Sequence, residues 1–450
     1  MRKTPSSITL SFILLLVLLG ANLTTAQALR NPDQAQPNQA ETTETIYIVQ
    51  RGDNLNRIAA RYGTSVGAIL NANRIANANL IYVGQRLVIP MPAPLPAETS
   101  APVVTTPTPA MVTGITVFTL GQDPTLVIEQ VERLSLSWVK LDVLWRELEP
   151  SAGIYNFDEL DAVVTALDQA NLNVLFTVWS APSWARSTVE ESGPPDDFSA
   201  YAGFMRTLAE RYQGRVQAYE IWNEPNLRRE WNSELHPISA ASYAELLHLA
   251  YEAVKAGDAN ALVISAGLAP TGFNDGVNAI DDRLYLRDLY ASGLANISDA
   301  IGAHPEGWAN PPDAHCCDQP EGVETHYDSR TFFFLDTLAD YRQIMIEHGD
   351  QAASIWVTRF GWGSSADTSA PSAINIFYSY TDLTEQAAYT PRALTLGAEL
   401  GYIGAMFIDN LNGCVALPDD AEACYTSLIG PNGQVRPVFD ALVDRAQPGG

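Results

Sequence analysis

Two hydrophobic periodicities alternate along most of this chain. Short apolar runs recur at 115–119, 138–143, 173–178, 218–222, 262–266, 300–304, 355–358 and 403–408, and their length and β-branched content predict buried strands. Between them, stretches such as 198–212, 241–255 and 333–347 repeat apolar residues every three or four positions and predict helices. Eight strand–helix units across 113–445 predict an α/β fold of the (β/α)8 barrel type, whose chemistry sits at the C-terminal ends of the strands.

The N-terminal part has a different rhythm. A strand is predicted over 45–49, followed by the turn Arg51-Gly52-Asp53. Leu55, Ile58, Ala59 and Tyr62 then fall at helical spacing, as do Val66, Ile69, Leu70 and Asn73, and 85–89 returns to strand chemistry. The order is strand, helix, helix, strand, a small domain over 45–90. Residues 29–44 are polar without periodicity and read as a disordered spacer. Residues 91–112 carry Pro at 92, 94, 96, 102, 107 and 109, which predicts a semi-rigid extended linker. At the start, Arg2-Lys3, an apolar run from Ile8 to Leu19 and the small-residue site Ala26-Gln27-Ala28 predict a signal peptide over 1–28. The expectation is an exported chain, secreted or held at the cell wall, with no membrane segment after cleavage.

Charge narrows the partners. Lys and Arg total 26 against 52 Asp and Glu, a net charge of −26. Such a surface repels nucleic acid and anionic membrane faces, so neither is an expected partner. The four Cys comprise the adjacent Cys316 and Cys317, and Cys414 with Cys424. In an oxidising compartment Cys414 and Cys424, either side of a Gly- and Pro-containing loop, are expected to form a disulfide; Cys316 and Cys317 either pair with each other or stay reduced. The six His are scattered and no HExxH or phosphate-cradling Gly loop occurs, so no metal or cofactor is expected.

Two motifs carry resemblances. Tyr47-Ile-Val-Gln-Arg-Gly-Asp-Asn-Leu55 and Ile81-Tyr-Val-Gly-Gln-Arg-Leu-Val-Ile-Pro90 make 45–90 similar to a LysM domain. The resemblance implies binding of peptidoglycan or chitin in a shallow groove, here lined by Gly52, Asp53, Asn54, Leu55, Leu80, Ile81 and Tyr82. The alternative is a LysM-like module that only spaces the protein from a surface.

The second motif is Tyr219-Glu-Ile-Trp-Asn-Glu-Pro-Asn226 at the end of the fourth barrel strand. With Val178-Trp-Ser-Ala-Pro-Ser-Trp184 and Gly302-Ala-His-Pro305, it resembles clan A glycoside hydrolases, and the module resembles family 39. The resemblance implies that Glu224 is the general acid/base and that Asn223 holds a sugar 2-hydroxyl; the alternative for Glu224 is an ion pair with Arg228 or Arg229. Trp145, Trp179, Trp184, Trp308 and Trp362 follow strands and can present flat faces to sugar rings, with His304 as a further polar contact. One position departs from the family. In Ile355-Trp-Val-Thr-Arg-Phe-Gly-Trp362 the resemblance places a nucleophilic Glu where this chain has Arg359. A guanidinium is permanently charged and cannot attack a sugar carbon. Asp409 and Glu306 are the candidate substitutes, the alternative for each being a structural role as a helix cap or loop ion pair. Two readings stay open: a hydrolase of O-glycosidic bonds acting on a polysaccharide or oligosaccharide, and a glycan-binding protein that keeps the cleft without the nucleophile.

Overall fold

The structure is a computed structural model that describes residues 43–50, Leu55, Ile58, 66–75, 81–91, 110–119 and 121–446. The expected signal peptide, nearly all of the spacer, linker residues 92–109, and Gly52, Asp53, Asn54 and Leu80 lie outside the described residues. The chain divides into two compact units, each taken by itself.

In the first unit, strands β1 (Thr43–Ile48) and β2 (Arg86–Met91) pair antiparallel, Tyr47 opposite Leu87 and Ile46 opposite Val88. Alternation along β1 turns Tyr47 inward and leaves Ile46 and Ile48 exposed. The helix Val66–Asn73 covers the inner face. One core joins Tyr47, Val49, Leu55, Ile58, Ile69, Leu87 and Ile89. Asn73 fastens the helix to the sheet: its side chain both donates to Val88 O and accepts from Val88 N at 2.7 Å. Thr43 and Glu44, assigned by composition to the spacer, are already paired in β1, and Met91 of the expected linker is paired in β2; backbone pairing needs no apolar side chain and so left no mark in the composition.

The second unit is the expected barrel. Its parallel strands are β3 (Val112–Thr116), β4 (Trp138–Leu144), β5 (Asn173–Trp179), β6 (Ala218–Ile221), β7 (Leu262–Ser265), β8 (Ile301–Ala303), β9 (Ile355–Phe360) and β10 (Ile403–Ile408). They run β7-β6-β5-β4-β3-β10-β9-β8, and the bridges Ile264 to Ala300 and Leu268 to Ala303 join the ends into a ring. Glycines permit that closure: a Cβ on Gly302 would lie 2.0 Å from Ser265 O. The first strand begins at Val112, earlier than its apolar run, because Gly114 is needed where Phe407 and Trp138 press on the backbone; a Cβ there would lie 2.6 Å from the Phe407 ring.

Inside the ring, Trp138, Leu175, Ala218, Ile264, Ala300, Trp356, Ala405 and Phe407 form an apolar plug, with Trp138 and Trp356 edge to face at 5.5 Å. Outward-facing strand residues pack on the helices in one continuous core. Two of these helices also fix the exits of β5 and β6. Tyr201, on Phe198–Arg211, donates to Val178 O at 2.7 Å, and Tyr243, on Ala240–Gly257, donates to Ile221 O at 2.8 Å. Cys414 and Cys424 stand at bonding distance with their Cα atoms 4.1 Å apart, as do Cys316 and Cys317. Among the described residues no helix is long and apolar enough to cross a membrane.

Candidate functional site

Period-two alternation carries the inward row of each strand from the apolar plug to a polar layer above it. Trp138 is succeeded by Lys140, Leu175 by Thr177, Ala218 by Glu220 and Trp356 by Thr358. All four polar residues are buried. Glu220 is their centre. It accepts from Thr177 Oγ1 at 2.5 Å, from Thr358 Oγ1 at 2.6 Å and from Gly267 N at 2.9 Å, and Lys140 Nζ lies 3.9 Å away. The motif reading passed over Glu220; a charged residue inside the apolar run Ala218–Ile221 was the available signal.

Above this layer the chain leaves β6 sharply. Trp222 and Glu224 both have left-handed φ, 72° and 41°, which for non-glycine residues signals strain held by the surroundings. Glu224 N donates to Gly267 O, Tyr243 holds the strand end, and Pro225 prevents continuation of the strand. The result is a Glu224 carboxyl that is 1% exposed.

Three groups hold it. Arg359 Nη2 donates to Oε1, Arg229 Nη2 to Oε2 at 3.0 Å, and His304 Nδ1 lies 3.1 Å from Oε1. Arg359 also bridges to Glu306 Oε1 at 2.8 Å. Burial opposes ionisation of Glu224, but the Arg359 charge, the His304 hydrogen bond and the Arg229 charge outweigh it and hold the carboxyl well below its usual range. His304 is pushed below its usual value by burial first and by Arg359 second, against its bond to Glu224. The ion pair considered for Glu224 with Arg229 is therefore present, alongside the one with Arg359.

The neighbouring acids behave oppositely. Burial raises Glu306 to about 7 despite Arg359. Burial likewise raises Asp409, with Arg359 and Lys140 opposing, and Glu230 rises to about 7 through burial and then the Glu224 charge. Glu306, Asp409, Arg359 and Trp308 line one small cavity at the mouth, closed on another side by Phe377 and Tyr378. Tyr378 donates to Glu422 at 3.1 Å, adding a further carboxylate that no motif indicated. Asn223 lies beside Glu224, and its side chain tempers the rise of the Glu230 carboxyl. Among the described residues no group of His, Cys, Asp and Glu is arranged to hold a metal ion.

The tryptophans separate into two sets. Trp308 belongs to the cavity, its ring stacked on His326 at 4.5 Å. Trp179 is half-buried at the end of β5, and Trp184 is partly exposed. Trp145 and Trp362, expected as sugar platforms, are 0% and 1% exposed. Trp145 is packed between Tyr201, Phe204 and Trp184 and donates to Glu149 at 2.7 Å. Trp362 donates to Asn310 O at 2.8 Å beneath Phe334 and Tyr389. Both rings are spent on packing, so neither has a face left for a ligand. In the small domain, Tyr82 is 70% exposed and Ile81 half-buried, whereas Leu55, expected in the groove, is 2% exposed and belongs to the core beneath it.

Comparison with known proteins agrees with both halves. Residues 47–90 match the LysM domain family. A 59-residue stretch is 44% identical to an autolysin of Enterococcus faecalis, covering 13% of this chain and 8% of the autolysin, so this chain matches only a small part of that relative. The barrel superposes on a family 39 glycoside hydrolase from the gut symbiont Bacteroides cellulosilyticus with TM-score 0.57 and 18% identity, over 74% of this chain and 63% of that one. It superposes on a GH5_18 protein from Streptomyces cattleya, solved with GlcNAc, with TM-score 0.52 and 14% identity, over 75% of this chain and 82% of that one. At these identities the likeness establishes the fold: a LysM domain followed by a glycoside hydrolase-like (β/α)8 barrel.

Proposed function

We propose that this chain is an exported, cell-wall-directed glycan-binding protein whose barrel keeps an oligosaccharide cleft without retaining-glycosidase chemistry. The LysM domain supplies anchorage to peptidoglycan or chitin, and the Pro-rich segment tethers the barrel to it. The observation that carries the reading is the Arg359–Glu224 ion pair. Retaining hydrolysis needs one carboxylate to attack the anomeric carbon and a second, about 5 Å away, to protonate the leaving oxygen. Here the attacking position holds a cation, and that cation keeps Glu224 ionised when it would have to donate a proton. Trp308, Asn223 and the carboxylates of the mouth remain as groups that stack on and hydrogen-bond a sugar.

A second reading rests on a separate observation. Glu306 and Asp409 line the same cavity with raised affinities for protons, so either is chemically suited to act as an acid opposite an ionised Glu224 in an inverting reaction. A screen of the wild-type chain, Arg359→Glu and Arg359→Ala against aryl glycosides separates the two. The glycan-binding reading expects no turnover by the wild type and measurable turnover by Arg359→Glu. Wild-type turnover that survives in Arg359→Ala and is lost in Glu224→Gln and in Glu306→Gln or Asp409→Asn would replace it with the inverting one.

A further inference from the structure

A second cavity, of about 260 Å3, opens at the same end of the barrel beside the exits of β4 and β5. Its wall includes Arg146, Arg186, Ser180, Ser183 and Ser192. Both guanidiniums are held by neutral acceptors. Arg146 Nη1 donates to Ser180 Oγ at 2.8 Å, and Ser180 is itself fixed in a left-handed conformation with φ 62°. Arg186 donates from Nη1 to Glu191 O and from Nη2 to Asn232 O, each at 2.8 Å. Its Nε is buried without a partner, as is Ser192 Oγ.

Charge makes the arrangement unusual. The chain has twice as many acids as bases, yet among the described residues neither Arg146 nor Arg186 forms an ion pair. Of the two acids of the cavity wall, Glu191 pairs with Arg228 at 3.3 Å, and Glu190 accepts from Val189 N at 3.2 Å while its charge still acts on Arg186. Burial lowers the proton affinity of the Arg186 guanidinium; the Asp196 and Glu190 charges oppose this, and the lesser effect of the Arg146 charge adds to it. Arg146 is exposed and Arg186 half-buried, and an anion entering the cavity would meet both charges at once. Guanidinium forks match the planar oxygens of a carboxylate. The serine hydroxyls suit sugar hydroxyls, and the volume lies at the low end for ligand pockets, fitting one ring rather than a chain.

We propose that this cavity binds the carboxylate of an acidic sugar residue, a uronic acid or an N-acetylmuramic acid, within a glycan that also occupies the mouth. The inference rests on the glycan-binding reading and deepens it: the preferred glycan is anionic although the protein is acidic, because the attraction is confined to this one pocket.

Calorimetry on the full chain tests it with GlcNAc–MurNAc disaccharide, the methyl ester of that disaccharide, trigalacturonate and inorganic phosphate. The wild type is expected to prefer a carboxylated sugar over the ester, and whichever acid binds identifies the source. Arg146→Ala is expected to weaken the carboxylated ligand about tenfold, the effect of one charge-assisted hydrogen bond, without changing the ester. Glu190→Gln is expected to tighten the carboxylated ligand, a gain that misfolding cannot mimic. The site is refuted by equal affinity for acid and ester, by phosphate binding as tightly as the acidic sugars, or by indifference to both substitutions. Failure of the underlying reading looks different: no oligosaccharide, charged or neutral, would then show binding that Trp308→Ala weakens.

Discussion

Removing the guanidinium at 359 strips a counter-charge from two acids at once, so Arg359→Ala tests the electrostatics of the mouth directly. Glu224 is 1% exposed and keeps only Arg229 at 3.0 Å and His304 at 3.1 Å after the change. Breaking a buried ion pair from one side costs about 3–5 kcal/mol, and the surviving partners place this case near about 3 kcal/mol. Glu306 adds little, because burial already lifts it to about 7 and it escapes by taking a proton. The sign of the pH dependence follows. In the wild type Glu224 lies below its unfolded value, so its contribution is present above about pH 4.5 and fades as pH falls through the folded value. In Arg359→Ala its burial dominates and its proton affinity rises, so the variant is most destabilised near about pH 8 and least near about pH 5. For a barrel of this size about 2 °C accompanies each kcal/mol, a fall in Tm of about 6 °C at the higher pH. Scanning calorimetry at both pH values gives the answer. A Tm within about 1 °C of wild type near about pH 8 would show that Arg359 is not the counter-charge described above.

Two further predictions concern the aromatic residues and the small domain. Trp145→Ala is expected to cost about 3–5 kcal/mol of stability because its ring is enclosed by the core, while Trp308→Ala weakens oligosaccharide binding with little change in Tm; the reverse ranking in paired melting and titration measurements would overturn the assignment of platforms. The segment spanning the LysM domain, 43–91, is expected to be retained on insoluble peptidoglycan or chitin and to lose retention in Tyr82→Ala, whose ring is exposed; equal retention of an unrelated acidic protein in the same pull-down would remove the anchoring role.

The barrel was legible because its signal is local. Apolar runs at 138–143, 173–178 and 403–408 correspond closely to β4, β5 and β10, since a strand buried on both faces needs little beyond its own residues. The direction of a tryptophan after a strand is not local. Trp145 and Trp308 occupy similar places in the chain, and what separates them is that Tyr201 and Phe204, on a helix some sixty positions later than Trp145, close over the first ring, whereas Trp308 meets His326 and Phe377 at the mouth. Glu224 and Arg359 were visible through their motifs, but their pairing spans the mouth from the exit of β6 to the end of β9, with β7 and β8 between them. Glu220 was hidden because its importance lies in partners from β5 and β9, contributed by Thr177 and Thr358, residues that in sequence look like ordinary strand threonines. The Arg146 and Arg186 pocket left no motif at all: it exists only because two loops bring both guanidiniums to one wall, where neither forms an ion pair among the described residues.

The ring of strands also has a clasp. Between β7 and β8 the join consists of single bridges, a Gly302 N to Ser265 Oγ bond of 3.0 Å, and the bare backbones of Gly267 and Gly302 pressed together. A Cβ at 267 would stand 2.3 Å from the His304 ring, the ring that touches Glu224. The narrowest fastening of the hoop is thus also the bearing on which the charge cluster turns. At this seam Gly267 also donates its N–H to Glu220 and accepts from Glu224 N, so its backbone is shared between the closure of the ring and both carboxylates. Sheet closure and the protonation of the mouth are in this way one mechanical problem, solved by two residues that have no side chains.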